Sequence, residues 1–184
     1  MHDRLFRAAN AAWDRGDLRR AFDLFSRAAE AGDRSSQLDL GYFFDTGLYV
    51  RKDKEKALHW YHRAYQQGEA SAANNIATLQ RERGQHGRMV WWFRRAAALG
   101  EDDALFELGR CYEMGLGVRK NFDTAKRLYR RVLTSRDVIE DTREQAGKRL
   151  AKLEKLETSA EPGGCSGGRD SDPVPCRAHL TRRL

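Results

Sequence analysis

The sequence has little of what marks a membrane, secreted or disulfide-held protein. Its 184 residues include three prolines and three cysteines, and no apolar run nears the ~20 residues that a membrane-spanning helix needs. The start, MHDRLFRAANAAWDRGD, has charge where a secretory signal would carry its apolar stretch. Cys111 stands alone and Cys165 and Cys176 lie near the C-terminus, so no paired spacing calls for a disulfide framework or a zinc site. Cys111 reads as a small buried apolar residue. These scarcities predict a cytoplasmic protein with no membrane insertion.

Catalytic signals are equally scarce. No phosphate-binding loop, nucleophile elbow or acid pair is present. His59 and His62 share a helix at three-residue spacing, but two imidazoles alone make no metal site. The expectation is a non-enzymatic chain with no cofactor and no metal. Charge of one sign is not segregated either. The net charge is +7, yet stretches such as RKDKEK and REQAGKR interleave both signs, the pattern of a solvated face more than of a nucleic-acid stripe. Nucleic acid is therefore not the expected partner, while the positive excess admits an acidic one.

What the sequence has in abundance is itself. A shift of 68 residues brings Gly16 onto Gly84, Phe25 onto Phe93, Gly41 onto Gly109, Gly47 onto Gly115, Ala57 onto Ala125 and Tyr61 onto Tyr129. Each such stretch is double again, with Gly32 and Gly68 lying 36 apart and Gly68 and Gly100 lying 32 apart. Periods of this size belong to helical solenoids, where each hairpin buries its apolar stripe on the next. The predicted fold is all-α, a right-handed α-α superhelix of four helical hairpins at about 2–32, 33–68, 69–100 and 101–137. A capping helix over 138–157 completes a repeat domain spanning 1–157. Residues 158–184, with SAEPGGCSGGRDSDPVPC, offer almost nothing to bury and are expected to form a disordered tail.

Local chemistry agrees with the hairpins. Ala9, Gly41, Ala77 and Gly109 place short side chains where two helices of a hairpin cross. Asp17 and Asp53 stand where a side-chain oxygen can cap the following helix. Leu38, Leu40, Gly41 and Phe44 are expected on the inward side of the first helix of unit two, and Phe122 on that of the second helix of unit four. Trp92 and Phe93 repeat the positions of Trp60 and Tyr61, whereas Trp91 has no such counterpart and reads either as a contact with the next hairpin or as an exposed anchor.

The segments LGYFFDTGLYVRKDKEKALHWYHRAYQQG (40–68) and LGRCYEMGLGVRKNFDTAKRLYRRV (108–132) resemble the Sel-one-like repeat (SLR) family, whose signature is Leu-Gly, an aromatic, a Gly-x-Gly-Val loop, Lys-Ala and Trp-Tyr. Units one and three, with shorter loops, look more like the related tetratricopeptide repeat. Tyr49 stands where a second loop glycine is usual, Gln80 takes an aromatic slot, and Met89 replaces a small residue. The cysteine-paired secreted branch is not matched. The resemblance implies an adaptor, of a kind often found in bacteria, that binds a protein or peptide on a concave face lined by the first helix of each unit. On that geometry the residues after the small crossing positions, Asn10, Tyr42, Thr78 and Arg110, should meet the partner. One turn to either side, Trp13, Arg81, Asn74 and Phe106 join them. A helical-repeat nucleic-acid binder and a secreted bacterial effector or regulatory subunit are the alternatives.

Overall fold

A computed structural model describes residues 2–136 and 138–160. Among the described residues every regular element is a helix: α1 (His2–Asp14), α2 (Leu18–Glu30), α3 (Arg34–Thr46), α4 (Lys54–Gln66), α5 (Ala70–Glu82), α6 (His86–Ala98), α7 (Asp103–Met114), α8 (Phe122–Thr134) and α9 (Glu140–Ala160). Four starts are set by side chains that accept the backbone N–H three residues on: Asp17 from Arg20, Asp33 from Ser36, Asp53 from Lys56 and Asn121 from Thr124. Each such cap is worth ~1 kcal/mol.

The helices pair in chain order, α1 with α2, α3 with α4, α5 with α6 and α7 with α8, and each second helix packs on the first helix of the next pair. α9 closes the array against α8, touching α7. The core is accordingly a row of local clusters, each shared by adjacent helices, as a solenoid requires. α9 runs to Ala160, three residues into the segment expected to be tail. The rest of that segment, 161–184, lies outside the described residues.

At the crossings, an added Cβ on Gly41 would sit 2.5 Å from the Tyr61 ring, and one on Gly109 would sit 2.5 Å from the Tyr129 ring. Units one and three place Ala9 and Ala77 at the same point, in clusters with Phe25 and Phe93. Glycine thus goes with tyrosine and alanine with phenylalanine. With no Cβ beneath it, the tyrosine ring settles onto the helix, and its hydroxyl reaches the acid one turn further on: Tyr61 donates to Asp45 at 3.3 Å and Tyr129 to Glu113 at 2.6 Å.

Several inward positions differ from expectation. Phe43, not Phe44, is wholly buried, because it fills the gap between hairpins one and two, with Trp13, Phe22 and Phe25 around its ring. Phe44 is half-buried and Phe122 is exposed at the first position of α8; Trp60 and Trp92, which share a repeat position, are both half-buried. In α9, Val138 just ahead of the helix and Ala146, Leu150 and Leu153 within it are buried, while Ile139 and Leu156 stay exposed. A further link was invisible as hydrophobic pattern: buried Gln37 donates to the carbonyl of Ala29 at 3.1 Å and accepts from Gln67 at 2.8 Å, tying α3 to the ends of α2 and α4.

Candidate functional site

The first helices α1, α3, α5 and α7 carry the residues expected to meet a partner, and the structure divides them into two groups. On α1 and α3, Trp13 packs on Tyr42 at 6.1 Å between ring centres and edge-on against Phe43 at 5.2 Å. Trp13 is half-buried cement between hairpins; Tyr42 beside it is exposed. Asn10 turns its amide back to the carbonyl of Phe6 at 3.0 Å.

The second group lies on α5 and α7. The carboxylate of Glu107 accepts from Arg81 at 2.8 Å and from Arg110 at 3.2 Å. One carboxylate between two guanidiniums leaves a local excess of one positive charge, held between neighbouring hairpins. Arg81 lies over the Phe93 ring at 5.9 Å and Arg110 over the Phe106 ring at 6.0 Å, so both forks are oriented by cation–π contact as well as by the acid. The Thr78 hydroxyl donates to the carbonyl of Asn74 at 3.3 Å. Asn74 Oδ1 and Arg110 Nε are buried with no hydrogen-bond partner, a rare condition for polar atoms.

Phe106 is corrected out of this set. It is 6% exposed and packs against Tyr129 at 5.8 Å; α7 is covered by α8 on that side, so a position three before the crossing glycine faces the core. Arg110 is also less open than expected, being half-buried and paired. Glu107 was missed, although an acid three residues before Arg110 on one helix is a recognisable pair. Missed too was the recurring acid that receives the tyrosine hydroxyl. Asp45 is bound by Lys54, which also meets Glu82 at 3.0 Å, and Glu113 by Arg149 at 2.9 Å. The signal in sequence is Gly, an acid four residues on, and Tyr twenty residues on, at Gly41-Asp45-Tyr61 and Gly109-Glu113-Tyr129.

Cys111 is buried next to the Arg81–Glu107–Arg110 group. Burial first, then the Glu107 charge, pushes its thiol up to about 11, while Arg81 and Arg110 oppose the shift; it is an apolar filler, not a nucleophile. His62 packs edge-on to Trp92 at 5.1 Å, and desolvation lowers its pKa. Trp91 is half exposed, with the Arg95 guanidinium 4.3 Å over its ring. Among the described residues no three His, Cys, Asp or Glu side chains are grouped to hold a metal, and no helix is long and apolar enough to cross a membrane.

Pairs of helices stacked in register around a row of local cores define a helical-repeat solenoid protein. The Sel1 repeat family profile matches residues 14–33, 34–69, 90–101 and 102–131, just over half of the chain, and the chain belongs to that family. The unmatched interval before residue 90 holds the two departures Gln80 and Met89. Chitin synthase regulatory factor 1 of Schizosaccharomyces pombe is 35% identical over 134 residues, 68% of this chain and 29% of that protein. The ERAD-associated E3 ubiquitin-protein ligase component HRD3 of Candida glabrata is 30% identical over 117 residues, 59% of this chain and 14% of that protein. The chain thus spans less than a third of the length of either relative. Among solved structures, a Sel1 repeat protein from Oxalobacter formigenes superposes with a TM-score of 0.62 at 28% identity, covering 72% of this chain and 54% of that one. A protective antigen of uropathogenic Escherichia coli with an SLR fold gives 0.64 at 20% identity, covering 96% and 51%.

Proposed function

We propose that the chain is a non-enzymatic adaptor that holds a partner protein or peptide on the face built by α1, α3, α5 and α7. The observation that carries this reading is the Arg81–Glu107–Arg110 arrangement. Two oriented guanidiniums share one acid, so a carboxylate of a partner can take the second fork without leaving Glu107 unpaired. Tyr42 on α3 and Trp13 on α1 add an aromatic edge in the two preceding hairpins, where a partner side chain can lie. The names of two relatives, a ligase component and a synthase regulatory factor, support a repeat that serves another protein's activity.

The test is to capture a partner with the intact chain, identify it, and titrate it against wild type, Arg110→Ala, Arg81→Ala and an exposed α2 control, Arg19→Ala. Loss of a charge-assisted contact of ~1.5–3 kcal/mol predicts a roughly ten- to hundredfold weaker complex for the first two variants and none for the control. Arg110→Lys should recover only part, lacking the planar fork. Equal losses for all three alanine variants would mean diffuse charge attraction and remove this face from the reading.

A further inference from the structure

The loop between α7 and α8, residues 115–121, leans on the start of α6 so closely that a Cβ on Gly117 would collide with the carbonyl of His86. This contact fixes the rest of the loop beside α6 and leaves a cleft of about 490 Å3 lined by Arg94, Tyr112, Val118, Arg119, Lys120 and Asn121. Arg94 donates to the Tyr112 hydroxyl at 2.7 Å, which holds its guanidinium at the cleft. Lys120 stands 4.6 Å over the Phe122 ring. The Asn121 side-chain oxygen is taken up by the N–H of Thr124.

Among the described residues Arg94, Arg119 and Lys120 form no ion pair. Most cations that join one helix to another behave otherwise: Lys54 meets Asp45 and Glu82, Arg81 meets Glu107, Arg130 meets Glu154 and Arg149 meets Glu113. The other long loop supplies an internal comparison. Arg51 and Lys52 occupy the same register in a cleft of about 450 Å3 and, among the described residues, also form no ion pair, but that cleft is lined by an acid, Asp53, which stands in place of Asn121 and pairs with Lys56 at 3.6 Å, and Ser26 stands in place of Arg94. The later cleft therefore gathers three cations with no carboxylate in its lining, an arrangement complementary to an anion.

We infer that this cleft docks an acidic segment of a protein partner, with Asp or Glu carboxylates seated between Arg94, Arg119 and Lys120 and a neighbouring apolar side chain against Val118. The inference rests on the adaptor reading for the partner's class, and lies at a different place from the face of the first helices. A single-stranded nucleic acid fits less well. Tyr112 is the one aromatic ring in the lining, half-buried and engaged by Arg94, and the neighbouring Phe122 ring is covered by Lys120, so the cleft offers bases little to stack on.

The probe is a fluorescein-labelled, glutamate-rich peptide titrated by anisotropy into the full chain. The variants are Arg94→Gln/Arg119→Gln and, for the same change of charge elsewhere, Arg19→Gln/Arg20→Gln on α2. All four side chains are exposed, and an unchanged thermal midpoint confirms that the fold is kept. The inference expects about tenfold or greater weakening for the cleft pair, little change for the α2 pair, and tighter binding by wild type as salt is lowered. Equal weakening by both pairs overturns it, as does an oligouridine RNA that binds more tightly than the peptide and depends on Arg94 and Arg119. Failure of the peptide to bind while a captured partner still titrates against Arg110 overturns the cleft alone and leaves the adaptor reading standing.

Discussion

Asp39 on α3 shows what burial does to a single side chain. Desolvation first, then the charges of Asp33 and Glu69, push its carboxyl up from 3.8 to about 7. The folded chain therefore holds the proton more tightly than the unfolded chain. The contribution of Asp39 to stability is greatest below about pH 4, falls as the pH rises through the interval to 7, and stays at the lower level above it. Asp39→Asn should raise the free energy of unfolding by ~2 kcal/mol at pH 8, a figure discounted for partial exposure, and by little at pH 4. Urea titrations at the two pH values check this, and an equal gap at both would assign the effect to something other than the carboxylate.

At the level of the element, the two long loops follow one pattern and solve it differently. Residue 117 is glycine at φ +70, pressed on the backbone of His86 and Gly87, whereas its counterpart Tyr49 adopts φ 64 with its ring on Phe22 at 5.7 Å. Gly117→Ala should destabilise by ~2 kcal/mol or more, because the left-handed backbone disfavours a side chain and the atom it would meet is backbone that cannot swing aside. Tyr49→Gly should lie near neutral: relief of ~1 kcal/mol of backbone strain offsets an aromatic contact of ~0.5–1.5 kcal/mol. Thermal unfolding of the pair gives the comparison. If Gly117→Ala unfolds like wild type, the loop does not press on α6, and the cleft beside Arg94 loses the contact that shapes it.

For the molecule as a whole, stability is a chain of neighbour contacts with α9 as the last link. Ala146, Leu150 and Leu153 bury α9 on the cluster that holds Leu105, Phe106 and Tyr129, while Arg149 meets Glu113 and Arg130 meets Glu154. Leu153→Ala should cost ~2–4 kcal/mol by the lost contacts and cavity. Because each unit touches only its neighbours, the loss should be local. Amide hydrogen exchange should speed up in α7, α8 and α9 and remain as in wild type in α1 to α4. Uniform acceleration along the chain would show one cooperative unit instead of a row of linked ones.

The repeat period, the crossing glycines, the aspartate caps and the capping helix were legible from residues alone, because each depends on spacing along one or two adjacent helices. The family is recognised from the motifs of residues 40–68 and 108–132, which resemble its signature, and the family profile bears it out. What only the tertiary structure decided is which side of a helix its neighbours cover. Phe106 reads as a partner contact by counting from Gly109, yet lies in the core because α8 and α9 enclose it. Phe43 displaces Phe44 as the buried ring because two hairpins meet around it. Glu107 sits between Arg81 and Arg110 because α5 and α7 are brought side by side, and Arg94 joins Arg119 and Lys120 because the loop folds back on α6. These pairings join one helix to another, most of them across hairpins, and the periodicity of a single helix carries no record of the angle at which its neighbour arrives.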